Sequence, residues 1–86
     1  MLADVISAEL LDGYRIRFRF DDQVEGILDL AEILTFRGVF APLRDIDYFR
    51  KLRVDKELGT VVWPHGADID PDVLHSRLTG QPITLA

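Results

Sequence analysis

The sequence predicts an α+β fold, in which an antiparallel sheet of about five strands carries short helices on one face and a capped helix follows at the C-terminal end. Three observations indicate this class: strict two-residue alternation in YRIRFRF (residues 14–20), turn-forming residues between short apolar runs, and an Asp-Pro pair at positions 70 and 71. The 86 residues make a single domain, residues 1–86. A chain of this length buries roughly 60 to 65 per cent of its unfolded surface, which allows one modest core.

The YRIRFRF segment predicts the central strand of the N-terminal half, because its apolar side chains alternate with three arginines. Residues 3–11 (ADVISAELL) have strand-compatible composition with less regular alternation, and Asp12-Gly13 supplies the tight turn between the two. Residues 21–23 (DDQ) predict a second turn, which leads into VEGILDL. Three sequential strands joined by short turns make a meander, and one face of the third strand is formed by Val24, Gly26, Leu28 and Leu30.

The middle of the chain, residues 31–50, predicts short helical turns, because Gly38 and Pro42 prevent one long helix. Asp45 is a candidate N-cap for the last of these turns, which ends near Arg50. Seven apolar side chains are expected to cover one face of the sheet: Ile33, Leu34, Phe36, Phe40, Leu43, Ile46 and Phe49.

A second hairpin is predicted next. LRVD (residues 52–55) and TVVW (residues 60–63) are short β runs, and the KELG between them contains the glycine of a tight loop. Val61 and Trp63 are expected to point to one face of this hairpin and Val62 to the other.

The densest stretch of turn formers and carboxylates is WPHGADIDPD, residues 63–72. Asp70 is the predicted N-cap of a helix with Pro71 at its first position, and Asp72 adds negative charge where the helix dipole is positive. The helix is expected to run to about Leu78, where Leu74 and Leu78 can face the core, and to end at Gly80 and Pro82. We therefore predict a rigid corner between a strand and a helix.

Five further residues of this corner have predicted structural roles. Trp63 is expected in the core with its indole N–H near a carbonyl, and a ligand platform is the competing interpretation. Pro64 ends the β ladder, and Gly66 supplies a positive φ angle. Ile69 enters the core, whereas the carboxylate of Asp68 is expected to accept turn hydrogen bonds from nearby backbone amides.

A metal site is the sharpest functional interpretation of the corner. Imidazole and carboxylate ligands suit zinc or manganese, and five of them fall within eleven positions: His65, Asp68, Asp70, Asp72 and His75. A calcium loop beginning at Asp68 is excluded, because Val73 and Thr79 stand where such a loop needs glycine and glutamate. The structural roles of the carboxylates weigh against a metal, and Asp72 and His75 can simply pair on one helix face. We therefore predict no metal ligand and no cofactor.

Catalytic arrangements are sparse. The chain has no cysteine, and neither Ser7 nor Ser76 lies in a Gly-x-Ser-x-Gly sequence. The six glycines are scattered, so that no phosphate-binding loop is present. His75 and Asp72 have the spacing of a catalytic base and the group that orients it. Any His and Asp one helical turn apart have the same spacing, so the pair is not specific. No catalytic residue is assigned.

The arginine row formed by Arg15, Arg17 and Arg19 is the other candidate site. Three guanidinium groups on one sheet face can hold an acidic partner helix or a phosphate. The competing interpretation is an ordinary solvated face, in which acidic residues of the neighbouring strands balance the arginines: Glu9, Glu25 or Asp29.

The net charge of −5 opposes direct binding to nucleic acid, because the averaged field repels phosphate. No apolar run approaches the roughly 18 residues of a membrane span, and the absence of cysteine fits a reducing cytoplasm. Eight of the ten basic residues are arginine, which is enriched at protein interfaces. We expect a protein partner or a homo-oligomer, with neither nucleic acid nor membrane as a direct partner.

Three stretches resemble the bacterial domain-of-unknown-function family 2442: YRIRFRFDDQVEGILDL (residues 14–30), GVFAPLRDIDYFRKLRVD (residues 38–55) and GTVVWPHGADIDPDVLH (residues 59–75). The last contains the family's Trp-Pro-x-Gly-x-Asp-x-x-Pro motif. At residues 21–23 the chain departs from the Asp-Gly pair that is usual in the family. The resemblance implies a compact α+β domain with no established catalytic activity.

Some proteins of this family carry an additional helix-turn-helix, and others are encoded beside a second small protein. The resemblance therefore implies a regulatory or toxin-antitoxin-like pair. The predicted function is a non-enzymatic protein-interaction or regulatory module, held by the arginine row or by an exposed strand edge. The alternative is a small metal-dependent enzyme or metal-binding protein centred on the corner.

Overall fold

A computed structural model describes residues 3–80 of the chain. Its five strands are β1 (Val5–Leu10), β2 (Arg15–Phe20), β3 (Glu25–Asp29), β4 (Arg53–Asp55) and β5 (Thr60–Val62). Two 3-10 helices span Leu30–Glu32 and Gly38–Arg44, and the two α-helices are α1 (Ile46–Phe49) and α2 (Pro71–Thr79). The predicted α+β class with about five strands is confirmed. None of the helices within residues 3–80 has the length and apolar character needed to cross a membrane.

The first sheet is the predicted meander, with β2 between β1 and β3 and both pairings antiparallel. Ile16, Phe18 and Phe20 are buried on its inner face, and the arginines of β2 lie on its outer face. The two-residue alternation of β2 therefore fixes which side of the sheet meets the core.

The irregular alternation of β1 has a structural cause, which is a β-bulge. Val5 and Ser7 pair with adjacent residues of β2, so Ile6 is the additional residue, and it is 53% exposed. Val5 faces the core before the bulge, and Ala8 and Leu10 pack against the core after it. The bulge shifts the alternation by one residue.

The second sheet is the predicted hairpin of β4 and β5. The five strands thus form two sheets, and the hairpin approaches β1 through the Val5 N–H, which donates to the Gly59 carbonyl over 2.8 Å. Val62, on the opposite face from Val61, is buried as well, because the chain returns beside it in an antiparallel bridge between Val62 and Asp68.

The core lies between the inner faces of the strands and the helical segments. Its largest fully buried side chains include Phe18, Phe20, Phe49 and Trp63. Of the seven apolar residues predicted to cover the sheet, Leu43 and Phe49 are fully buried, and the other five pack against the core at its margin: Ile33, Leu34, Phe36, Phe40 and Ile46.

Tyr14 fastens the helical region to the start of β2. Its hydroxyl donates to the carbonyls of Leu43 and Arg44 over 2.8 and 2.9 Å. Its ring packs against Phe36 and edge-on against Phe49. The helical region that covers the core is therefore also held to the sheet by directional bonds.

Helix α2 packs closely on β3. Leu74 is fully buried, and a Cβ atom added to Gly26 would lie 2.7 Å from the Cδ2 atom of Leu78. Gly26 is therefore the position that lets the helix approach the strand. The helix ends as predicted at Gly80, which has a φ of 72°. Pro82, the other predicted terminator, lies outside the described residues.

The turn between β2 and β3 contains a residue other than glycine with a positive φ angle. Gln23 has a φ of 74°, a region that residues with a Cβ atom seldom adopt. Its N–H donates to the Phe20 carbonyl, and the Asp22 carboxylate accepts from the Val24 N–H over 3.1 Å. A side-chain hydrogen bond thus supports a conformation that glycine would adopt without strain.

Candidate functional site

The corner at residues 63–72 joins β5 to α2 and is built as a closed turn. The Gly66 N–H donates to the Trp63 carbonyl, and the Trp63 N–H donates to the Ala67 carbonyl, each over 2.9 Å. Gly66 has a φ of 93°, as predicted, and the exposed Pro64 follows the end of the β5 ladder. These two backbone hydrogen bonds close the turn.

Trp63 is a core residue. It is 2% exposed, and its indole N–H donates to the Phe49 carbonyl over 2.9 Å. Ala67 and Ile69 are buried beside it. Because the indole is enclosed by the chain, the core interpretation is confirmed over the ligand platform.

The carboxylates of the corner have two different environments. Asp70 caps α2 by accepting from the Asp72 N–H over 2.9 Å, and Pro71 begins the helix, both as predicted. Asp72 lies in the first turn of α2. The turn bond predicted for Asp68 is wrong: this residue lies in the bridge with Val62, and its exposed carboxylate makes no hydrogen bond to residues 3–80.

His65 links the corner to two helical segments. Its Nε2 atom lies 2.7 Å from the Val39 carbonyl, and its Nδ1 atom lies 2.7 Å from the Tyr48 hydroxyl. A carbonyl oxygen only accepts, so Nε2 carries the proton and donates, and Nδ1 accepts from Tyr48. Both ring nitrogens therefore have partners within the protein.

His75 links α2 to the turn between β2 and β3. Its Nε2 atom lies 2.8 Å from Oδ2 of Asp22, and its ring meets Phe20 edge-on. The pairing predicted between Asp72 and His75 is wrong, because the helix directs His75, which is 14% exposed at its side chain, towards the strand turn. The hydrogen bond from His75, followed by that from the Val24 N–H, lowers the pKa of Asp22.

The two histidines thus belong to separate hydrogen-bonded pairs. Within residues 3–80 no three His, Cys, Asp or Glu side chains are grouped so that they could hold one metal ion. The structure does not bring together the cluster that the sequence suggested. Ser76, in the same helix as His75, donates its hydroxyl to the Val73 carbonyl.

Several aspartate carboxylates accept backbone hydrogen bonds at turns and at the starts of helices. Five aspartates accept from the backbone N–H two residues further on, over 2.9 to 3.1 Å: Asp22, Asp29, Asp45, Asp55 and Asp70. The predicted cap at Asp45 is among them. Repeated side-chain capping of this kind explains why aspartate is common at the ends of elements here.

The arginine row lies on the outer face of the first sheet, as the alternation predicted. Arg17 pairs with Glu9 over 2.7 Å, and Arg15 pairs with Asp12 over 3.3 Å. The register places Glu25 opposite Arg19 and Asp29 opposite Arg15, without an ion pair between them. Within the described part of the chain, Arg19 forms no ion pair at all.

Strand β3 is an edge of this sheet among residues 3–80. A groove of about 500 Å³ lies beside this edge, between β3, the first 3-10 helix and α2. The residues that line it include Ile27, Leu28, Asp29, Glu32, Ile33 and Arg77. Sequence reasoning named an exposed strand edge without saying which strand provides it.

Sequence reasoning also missed Asp22 and Tyr48 as partners of the histidines. They lie 53 and 17 residues from the groups they contact, and no local pattern joins such distant positions. The signal that existed was weak: an aspartate in a turn and a tyrosine in a short helix.

A family model described as a protein of unknown function (DUF2442) matches residues 5–79. No curated protein and no solved structure matches the chain. Because the family model spans all five strands and both α-helices, the chain belongs to the DUF2442 family of proteins of unknown function.

Proposed function

We propose that the protein is a non-enzymatic protein-interaction or regulatory module, one half of a regulatory or toxin-antitoxin-like pair in the cytoplasm. The observation that carries this proposal is the outer surface of the first sheet. Its inner face is filled by the core, whereas its outer face presents three arginines at alternate positions, next to a strand edge that residues 3–80 leave unpaired. Surfaces of this kind bind proteins through guanidinium groups and main-chain hydrogen bonds.

The use of the polar groups supports an interaction module over an enzyme. His65 and His75 link neighbouring elements, and Asp70 caps α2, so each makes its bonds within the chain. The geometric arrangement of a nucleophile, a base and an oxyanion donor is not assembled from these residues.

The guanidinium groups of the arginine row are also accessible to carboxylates of a partner protein. Arg19 forms no ion pair within residues 3–80, and the side chains of Arg15 and Arg17 are each 47% exposed although they are paired. Exposed ion pairs are worth only about 0.2 to 1 kcal/mol, so a partner carboxylate can replace them at little cost.

The test is recovery of a partner from the native host with the full-length, tagged protein, after mild cross-linking. We expect one protein in stoichiometric amount with the wild type, and loss of most of it with the Arg17→Glu, Arg19→Glu double variant. The matched control is Arg53→Glu with Lys56→Glu, which makes the same charge change in the hairpin of β4 and β5. Recovery of the bare monomer alone would refute the proposal.

A further inference from the structure

We infer that the edge of β3 that residues 3–80 leave unpaired binds an extended basic segment of a partner protein, which adds to the first sheet as a further strand. This inference rests on the proposed function and deepens it by naming the chemistry of the occupant. It has three parts: the backbone groups of the edge, the charges beside them, and the groove at their side.

The backbone of β3 has hydrogen-bonding groups that the sheet does not use. The Phe20 N–H donates to the Val24 carbonyl, and the Leu30 N–H donates to the Tyr14 carbonyl. In an antiparallel pair the residues that bond to the partner strand alternate with residues whose N–H and C=O point away. The outward groups therefore belong to Glu25, Ile27 and Asp29.

The side chains beside these groups form a row of acid, apolar and acid residues. Glu25, Ile27 and Asp29 share the outer face, and Ile27 is 42% exposed. On its other edge β3 already pairs with a strand of opposite charge, because β2 places Arg19 opposite Glu25 and Arg15 opposite Asp29. An added strand meets the same row and therefore needs basic residues at the same alternate positions.

A second copy of β3 does not match this row. An antiparallel copy centred on Ile27 sets Glu25 of one strand against Asp29 of the other, at both ends of the pairing. Like charges directly opposite one another on neighbouring strands are destabilising. The charges of the edge thus oppose this self-pairing and favour a basic strand.

The groove beside the edge receives the remaining side chains of the added strand. Leu28 and Ile33 contribute apolar surface to it, and its lining also contains the charged side chains of Asp29, Glu32, Arg15 and Arg77. Because side chains of a strand alternate between faces, the occupant is an extended segment in which basic and small apolar residues alternate.

The probe is a fluorescein-labelled peptide, acetyl-TRVRVRT-amide, which is titrated with the full-length protein and followed by fluorescence anisotropy. In the antiparallel pairing, each arginine of the peptide lies directly opposite Glu25, Ile27 or Asp29. Because the N–H and C=O groups of these three residues point outward, the backbone N–H groups of the arginines point towards β3. N-methylation of the arginine amides is expected to abolish binding. N-methylation of the valine amides, which point away, is expected to leave binding intact.

Variants of the protein test the same edge from the other side. Ile27→Pro removes an outward N–H that the ladder to β2 does not use, and is expected to weaken binding at least about 10-fold. Ile27→Thr is the matched control and retains binding. Glu25→Lys is expected to weaken binding about 3- to 10-fold, whereas Glu57→Lys, with the same charge change in the loop between β4 and β5, does not.

Three results would overturn the inference: no binding of the arginine peptide, equal binding of both N-methylated peptides, or a dimer that forms through β3 and excludes the peptide. If Ile27→Pro does not fold, the N-methylated peptides still test the inference, because they are titrated with the wild-type protein. A partner recovered from the host with no peptide binding would refute this inference alone and leave the proposed function in place.

Discussion

The corner at residues 63–72 and the edge strand β3 use their polar groups in opposite ways. In the corner, the indole of Trp63, both nitrogens of His65 and the carboxylate of Asp70 all bond within the chain. In β3, the outward backbone groups, such as those of Ile27, have no bonding partner in the ladder. The corner, whose sequence is richer in polar and ionisable residues, thus bonds more of these groups within the chain than β3 does.

This difference teaches that residue type alone does not mark a binding site. Polar groups that are satisfied within the fold stabilise its shape, and most of all at Trp63, where breaking the bond leaves a buried indole N–H unpaired. Exposed and unsatisfied groups at a strand edge are the ones that can bond to another chain. The following predictions test each side of the comparison, from the largest expected effect to the smallest.

The largest effect is expected at Trp63. The Trp63→Ala variant removes a fully enclosed indole and its bond to the Phe49 carbonyl, and is expected to lower the free energy of unfolding by about 3 to 5 kcal/mol. Urea denaturation measures it, with the exposed Val39→Ala as control. A loss below about 1 kcal/mol would mean that the corner is not anchored by this side chain.

The two aspartates at positions 68 and 70 allow a matched test of capping. Asp70→Ala is expected to lower the free energy of unfolding by about 0.5 to 2 kcal/mol, because it removes the cap of α2. Asp68→Ala, with the same change in charge two residues away, is expected to stay within about 0.5 kcal/mol of the wild type. Equal midpoints for the two variants in urea denaturation would contradict the capping role.

The approach of α2 to β3 is tested at Gly26. Gly26→Ala places a methyl group against Leu78 and is expected to destabilise the protein by about 1 kcal/mol, since the flexible leucine can move aside in part. The Leu78→Ala background is expected to remove this penalty, which a double-mutant cycle in urea measures. An unchanged penalty in that background would place its cause elsewhere.

The pairing of His75 with Asp22 predicts a pH dependence. The pKa of Asp22 is lowered in the folded state, so its contribution to stability is present above the unfolded pKa of about 3.9 and is lost as the pH falls through the folded value. Asp22→Asn is therefore expected to be less stable than the wild type near neutral pH, with a difference that shrinks below about pH 4.

The measurement is the urea midpoint of both proteins between about pH 3 and pH 7. Asp68→Asn, which removes a carboxylate without a hydrogen bond in residues 3–80, serves as the control and is expected to follow the wild type. A constant difference between Asp22→Asn and the wild type across this range would refute the assignment.

The smallest effect is expected from metal ions. Zinc or manganese is expected to shift the thermal midpoint by less than about 1 °C, because His65 and His75 are bonded in separate places. Elemental analysis of the purified protein accompanies this measurement. Stoichiometric metal that is lost in His65→Ala would instead favour the alternative function, a metal-dependent enzyme centred on the corner.

The elements of the fold were predictable where their cause is local. Alternation over residues 14–20 predicted a strand with arginines outside, and the Asp70-Pro71 pair predicted the start of a helix. The bulge at Ile6 was visible only as irregular alternation, since a bulge is defined by the strand opposite. For the candidate site, the arginine row was found from the sequence and the groove beside β3 was not.

By itself, the sequence determined the strand alternation, the turns at glycine and the aspartate caps, because each depends on residues within about four positions. Only the tertiary structure decided that His75 meets Asp22, that His65 meets Tyr48, and that five strands divide into two sheets. It also decided that, among residues 3–80, no strand pairs with the outer edge of β3. Whether a strand has a neighbour depends on where distant segments pack, and no short stretch of residues encodes that position.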